Sequence, residues 1–394
     1  MIKDDFPYFR NNNIVYLDSA STTQKPQIVL DSIMEYYTHY CSNTHRGSYN
    51  HGDKTTTKFE ESRNYIKEFI GGRPKDTLIF TKGVTEGINL VANSYVKNNF
   101  KSVIISSLEH HSNITPWHMQ GRTLGNGLEV IGYNKDLTID LNHLEDLLKK
   151  NRDSFLSITH ISNAFGILHP IKEIIDLSRK YNAKILIDGA QAANKLKLDM
   201  SWLQPDFYTF SAHKCYGPTG VGALYVNSSI INDLTPYQTG GAVIDRVSYK
   251  QSTYLPAPLK FEAGTQNIAG VIGFKKGVEY IKSVGFNNIK ENEKKLIKII
   301  YSEFNKIDGV TVWGDTHNMG NISFNVDGIT PIDLGILLDK QKIAVRAGHH
   351  CAMPIMESLG IDGTLRISLG VYSNESDIQL FFSGLIKAIK ILRG

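Results

Sequence analysis

The chain has 394 residues, of which 41% are hydrophobic and 21% charged, and its formal net charge is +4. This is the composition of an ordinary globular protein, with no dense basic block to argue for nucleic-acid binding and no apolar run of membrane-spanning length. The length predicts two or three domains.

The opening Met1-Ile-Lys-Asp-Asp-Phe-Pro is too acidic and too poor in apolar residues for a signal peptide. Cys41, Cys215 and Cys351 stand far apart and do not read as a disulfide framework, so a reducing cytoplasm is expected. Cys41 and Cys215 read as small packing residues.

From about residue 78 to 226, short apolar strands alternate with helical patterns, which predicts a mainly parallel sheet. Each strand passes into polar residues. Leu78-Ile-Phe-Thr81 precedes Gly83-Val-Thr85-Glu-Gly87, and Val103-Ile-Ile-Ser106 precedes Glu109-His110-His111. Phe155-Leu-Ser-Ile-Thr-His160 precedes Ser162-Asn163, Ile185-Leu-Ile-Asp188 precedes Gly-Ala-Gln191, and Phe207-Tyr-Thr-Phe-Ser211 precedes Ala-His213-Lys214. In an open α/β sheet the carboxyl ends of the strands line the ligand crevice, so these groups can converge.

Beyond about residue 270 the pattern predicts helices over 272–284, 289–304 and 376–392. Short strands Val310-Thr-Val-Trp313, Ile322-Ser-Phe-Asn-Val326 and Ile343-Ala-Val345 lie between them. The expected division is a large domain over 21–269 and a smaller α+β domain formed by 1–20 with 270–394.

An amine and a carboxylate, each at the tip of a buried strand, are what pyridoxal 5'-phosphate (PLP) chemistry requires. Lys214 supplies the amine for an aldehyde, and desolvation in its loop lowers its pKa. Asp188 suits a pyridinium nitrogen, although Asp-Gly is also a common turn pair. Gln191 suits a donor to the ring oxygen. Gly83-Val-Thr85 opens a helix whose free N–H groups favour an anion, or forms a plain N-cap; Ser211 and His213 add donors. One of His110 and His111 suits ring stacking and proton transfer, and the residues alone do not decide which. Asn163 suits either a substrate carboxylate or a turn cap. Arg366 suits a bidentate carboxylate grip or a structural ion pair.

Cys351 sits in Arg346-Ala-Gly-His-His-Cys351, where Arg346, His349 and His350 would favour a thiolate. Consecutive His-His-Cys side chains diverge too far to share a tetrahedral metal shell, so no metal is expected. Gly217-Pro-Thr-Gly220-Val-Gly222 leads into a strand rather than a helix, against a nucleotide loop.

These motifs, spread over essentially the whole chain, resemble the PLP-dependent cysteine desulfurases of the class V aminotransferase group, fold type I. The compact cysteine loop is similar to the SufS-like (group II) branch. The resemblance implies a seven-stranded, mainly parallel sheet with a smaller α+β domain, and conversion of L-cysteine to L-alanine with a persulfide on Cys351, feeding iron–sulfur cluster assembly. Selenocysteine lyase is the alternative within the same chemistry.

The resemblance further implies that Lys214 carries PLP and moves the substrate proton, Asp188 and Gln191 hold the ring, and His110 stacks on it. Thr85, Ser211 and His213 would bind phosphate. Asn163 and Arg366 would orient the substrate carboxylate; Arg346, His45 and Arg46 border the site. Glu262-Ala-Gly-Thr265 resembles a segment that reaches a neighbouring subunit's phosphate, which implies a homodimer. Val84 replaces a frequent second threonine. Ile332 stands where relatives served by a zinc-containing SufU-like partner carry histidine, which favours a SufE-like acceptor.

Overall fold

The computed structural model describes residues 2–45, 49–121, 127–314 and 317–394. Its larger sheet contains β1 (Thr77–Thr81), β2 (Ser102–Ser106), β3 (Gly127–Ile131), β4 (Ser154–Thr159), β5 (Lys184–Asp188), β6 (Phe207–Ser211) and β7 (Gly222–Val226). The spatial order is β1-β7-β6-β5-β4-β2-β3. β7 runs antiparallel to β1 and β6, and the remaining neighbours are parallel. The central strands are buried along their whole length, which is why they read as unbroken apolar runs. β3 is one of the two edge strands, and its half-exposed residues left it unrecognised in the sequence.

Helices cover both faces. They include α1 (Gln27–His39), α2 (Asn50–Phe69), α3 (Val84–Val91) and α4 (Ile268–Val284). α4 packs against α1 and α2, and Ile268, Val271, Ile272, Phe274, Val278 and Ile281 join the larger core. α5 (Phe286–Phe304) starts directly after Gly285, whose φ of 85° relieves the turn between the two helices.

A second, antiparallel sheet contains β8 (Val310–Trp313), β9 (Asn321–Val326), β10 (Arg346–Gly348) and β11 (Thr364–Ser368), in the order β8-β9-β11-β10. It shares a core with α5, α6 (Pro331–Asp339) and the final helix, through Leu296, Ile300, Phe304, Leu334, Leu338, Phe381 and Leu385. A six-residue helix, α7 (Met353–Ser358), follows the cysteine loop, and α8 (Glu375–Arg393) closes the fold with an Asn374/Asp377 capping box. The strand expected over 343–345 ends at Ala344, and a separate strand begins at Arg346. Ile343–Ala344 pairs with Val15–Tyr16, whereas Arg346–Gly348 joins the antiparallel sheet. Asp18 bridges to Ser368, so the N-terminal segment runs from one sheet toward the other. Among the described residues no helix is long and apolar enough to cross a membrane.

Candidate active site

The carboxyl ends of β1, β2, β4, β5 and β6 face the loops of β10 and β11 across a cavity of about 650 Å³. Eleven of the expected residues line it: Thr85, His110, Asn163, Asp188, Gln191, Ser211, His213, Lys214, Arg346, Cys351 and Arg366. Thr265 and His45 do not. They share a separate cleft of about 580 Å³ with Asn43, Gly241 and Glu262. Arg46 lies outside the described residues.

Lys214 follows β6 on a short turn, Ala212–Lys214, and is half-buried. Burial brings its amine down to about 8, opposed by Asp188 and assisted by Arg366 and Arg346. Among the described residues the amine has no hydrogen-bond partner. Asp188 ends β5, is buried, and its carboxylate accepts one hydrogen bond, from Ala190 N–H at 2.9 Å. Burial raises its pKa against the effect of that bond and of Lys214. Gln191 donates to the Ala20 carbonyl at 2.8 Å.

α3 begins at Gly83, whose φ of 155° is open to glycine. Val84 N–H donates to Ser211 Oγ at 2.9 Å, and a Cβ on Gly222 would come within 2.6 Å of Gly83 Cα. Close backbone approach therefore holds the lysine loop against the helix start. Thr85 Oγ1 shares a hydrogen bond of 2.7 Å with Ser112.

Of the two adjacent histidines, His110 alone lines the cavity. Its Nδ1 accepts from Ser112 N–H at 3.0 Å, which puts its hydrogen on Nε2. Burial first, then Lys214 and the other nearby cations, bring it down to about 3, so it is neutral. His213 is brought down to about 4 by burial and by Lys214 and Lys25.

Arg366 is 1% exposed. It donates to the Asn163 carbonyl at 2.8 Å, to Asp18 at 3.0 Å and to Ser21 Oγ at 3.0 Å, while its buried Nε–H has no partner among the described residues. Arg346 donates to the same Ser21 Oγ at 2.7 Å, and its other terminal nitrogen lies 3.9 Å from Cys351 Sγ. The Ser21 hydroxyl in turn donates to Asp18 at 2.7 Å. Sequence reasoning missed Asp18 and Ser21; the one signal was a reactive-looking Asp-Ser-Ala-Ser run after the short strand Val15–Tyr16. It also missed Glu109, a buried hub that accepts from Ser106, Asn113 and Thr159 N–H. Burial raises its carboxyl to about 8.

Cys351 is partly exposed and Cys215 buried; Cys41, expected to be packed, is exposed just beyond α1. Among the described residues no group of three His, Cys, Asp or Glu side chains could hold a metal ion. The site fits PLP. An unpartnered amine and a carboxylate with spare acceptor capacity share one cavity with a helix start backed by Ser211.

The family model for aminotransferase class-V matches residues 15–381. The chain is 40% identical to a cysteine desulfurase of Escherichia coli O8 (strain IAI1), covering 99% of this chain and 98% of that one. It is equally similar to a cysteine desulfurase of Shigella sonnei (strain Ss046). An apo cysteine desulfurase from Thermococcus onnurineus NA1 superposes with a TM-score of 0.93 at 33% identity, covering 98% of this chain and 97% of that one. The Escherichia coli cysteine desulfurase CsdA, in S-sulfonic acid form, superposes with a TM-score of 0.91 at 31% identity, covering 99% and 98%.

Proposed function

The chain belongs to the class-V aminotransferase family, and on that basis we propose that its cavity turns L-cysteine into L-alanine and leaves the sulfur on Cys351. It is a PLP-dependent cysteine desulfurase. The reading rests above all on Cys351 lining the same cavity as Lys214, with an arginine 3.9 Å from its sulfur.

PLP, when bound, supplies an aldehyde for the Lys214 amine and a ring that takes up charge from the substrate α-carbon. Lys214 holds that group and moves the α-proton. Asp188 would pair with the ring nitrogen, and Gln191 would serve the ring oxygen. Thr85, Ser211 and His213 would hold the phosphate with the N-terminal N–H groups of α3. His110, neutral with its hydrogen on Nε2, would stack on the ring. Arg366, with Asn163, orients the substrate carboxylate, and its unpartnered Nε–H supports that role. The Cys351 sulfur attacks the substrate sulfur. An S–S bond forms, the carbon–sulfur bond breaks, and the carbon gains a proton, giving alanine and a persulfide.

The persulfide supplies iron–sulfur cluster assembly through a SufE-like acceptor. Ile332, an apolar side chain 62% exposed on α6, supports this because it offers no ligand to a partner's zinc. A homodimer is supported by the exposed Leu30, Met34 and Tyr37 along α1, and by the hairpin Ile244–Val247/Ser252–Tyr254 with Tyr249 at its tip. In that assembly Thr265 and His45, which share a cleft of their own, would serve the neighbouring cavity. The two domains would be 21–269 and 1–20 with 270–394, with α4 as the joining helix laid on the larger core.

Mass spectrometry of the protein after incubation with L-cysteine tests this. One added sulfur on the Cys351 peptide, with alanine released, is expected; alanine release with an unmodified Cys351 would overturn it.

A further inference from the structure

His111 is the half of the histidine pair that the cavity does not use, yet it touches the cysteine loop twice. Its backbone N–H donates to the Cys351 carbonyl at 2.7 Å, and its ring Nε2 accepts from Met353 N–H at 3.1 Å. The two bonds flank the residue that takes the sulfur.

The loop needs holding. His350 and Cys351 have φ of 54° and 56°, consecutive left-handed conformations that residues with a Cβ avoid. Asn163 Nδ2 donates to the His350 carbonyl at 2.6 Å, and His350 Nε2 meets Thr364 Oγ1 at 2.8 Å. Past the thiol, α7 starts at Met353 without a side-chain cap of its own. The His111 ring provides that cap from the β2 side of the cavity.

We propose that His111 is a positioning residue whose neutral imidazole clamps the cysteine loop, fixing the Cys351 sulfur over the cavity. This rests on the desulfurase reading of the site. An acceptor nitrogen must carry a lone pair, so a protonated ring cannot take the Met353 N–H, and a cation at a helix start is unfavourable. The titratable groups facing the ring are His110, with ring centroids 6.3 Å apart, and His349 on the loop. Burial first, and His349 second, lower the His111 pKa below its ordinary 6.5, which keeps the ring neutral at neutral pH. The clamp's contribution is therefore complete above 6.5 and is lost as pH falls through the lowered value.

The test uses PLP-loaded protein in a Cys41→Ser background, comparing His111→Leu, which lacks an acceptor, with His111→Gln, which keeps one but does not titrate. Two rates are read: iodoacetamide alkylation of Cys351 without substrate, by peptide mass spectrometry, and single-turnover persulfide formation. In His111→Leu the alkylation rate should rise several-fold and persulfide formation should fall roughly tenfold, with PLP absorbance retained. His111→Gln should match the parent at neutral pH; in acid both rates fall with the thiolate fraction, and the ratio of the parent's rate to the Gln variant's should rise. Parent-like rates in His111→Leu, or a Gln variant as impaired as Leu, would overturn the clamp. Absence of any persulfide in the parent would instead count against the proposed function, and the alkylation comparison would still decide the clamp.

Discussion

Arg366 Nη2 lies 3.0 Å from Asp18 Oδ1, a pair that joins β11 to the N-terminal segment across 348 positions of sequence. The guanidinium is thereby held by one carboxylate while its Nε–H stays free for another. Lysine cannot reproduce both. Arg366→Lys should raise KM for L-cysteine roughly 10- to 100-fold, the loss of a charge-assisted hydrogen bond, with PLP absorbance intact. Steady-state kinetics check this, and an unchanged KM would remove Arg366 from substrate binding.

Lys214→Ala should abolish the visible absorbance of bound PLP and the release of alanine. In the PLP-free protein the amine reacts only when neutral, and burial brings it down to about 8. The rate of PLP uptake should therefore climb with pH through about 8, followed by stopped-flow absorbance; a rate flat across that range would contradict it.

Cys351→Ala should keep the cofactor spectrum and lose most turnover of L-cysteine. Because a selenolate leaves more readily, L-selenocysteine turnover should survive better in this variant. Equal loss on both substrates would show that the thiol does more than accept sulfur.

Asp188→Asn should retain PLP but lower kcat by roughly 10²-fold or more, because a neutral amide no longer holds a charged ring nitrogen. The test pairs kcat with the absorbance maximum of the bound cofactor, and full activity would free Asp188 from this role.

Arg63 and Glu262, both nearly inaccessible, form a two-bond pair at 2.5 and 2.8 Å, and Glu262 also accepts from Phe80 N–H at 2.7 Å. Glu262→Ala leaves Arg63 with Glu60 as its remaining carboxylate and the Phe80 N–H without its acceptor, and should destabilise the fold by about 1–3 kcal/mol. Denaturant unfolding gives the value, and a change under about 1 kcal/mol would show that water reaches Arg63.

Strands buried on both faces read as apolar runs, so the sites at their ends could be inferred in order. Asp188, Lys214 and Ser211 were legible for that reason, as was the His110–His111 pair but not which of the two faces the cavity. Asp18 and Ser21 were not, because their segment carries little periodicity and is organised by contacts with distant β11. The separate tasks of His110 and His111 depend on where the cysteine loop folds back, which neighbouring positions do not encode. Cys41 was misjudged because a small apolar-looking residue at a helix end gives no sign of which side faces solvent.

The reversed direction of β7 has a further consequence. Ser211 pairs with Gly222, so the chain leaves the sheet and re-enters it at the same edge. Lys214 thus hangs in a tether fastened at both ends, one of them pressed on the start of α3. The span between an anion at that helix and the amine becomes a fixed gauge, and the protein can select a cofactor by its length.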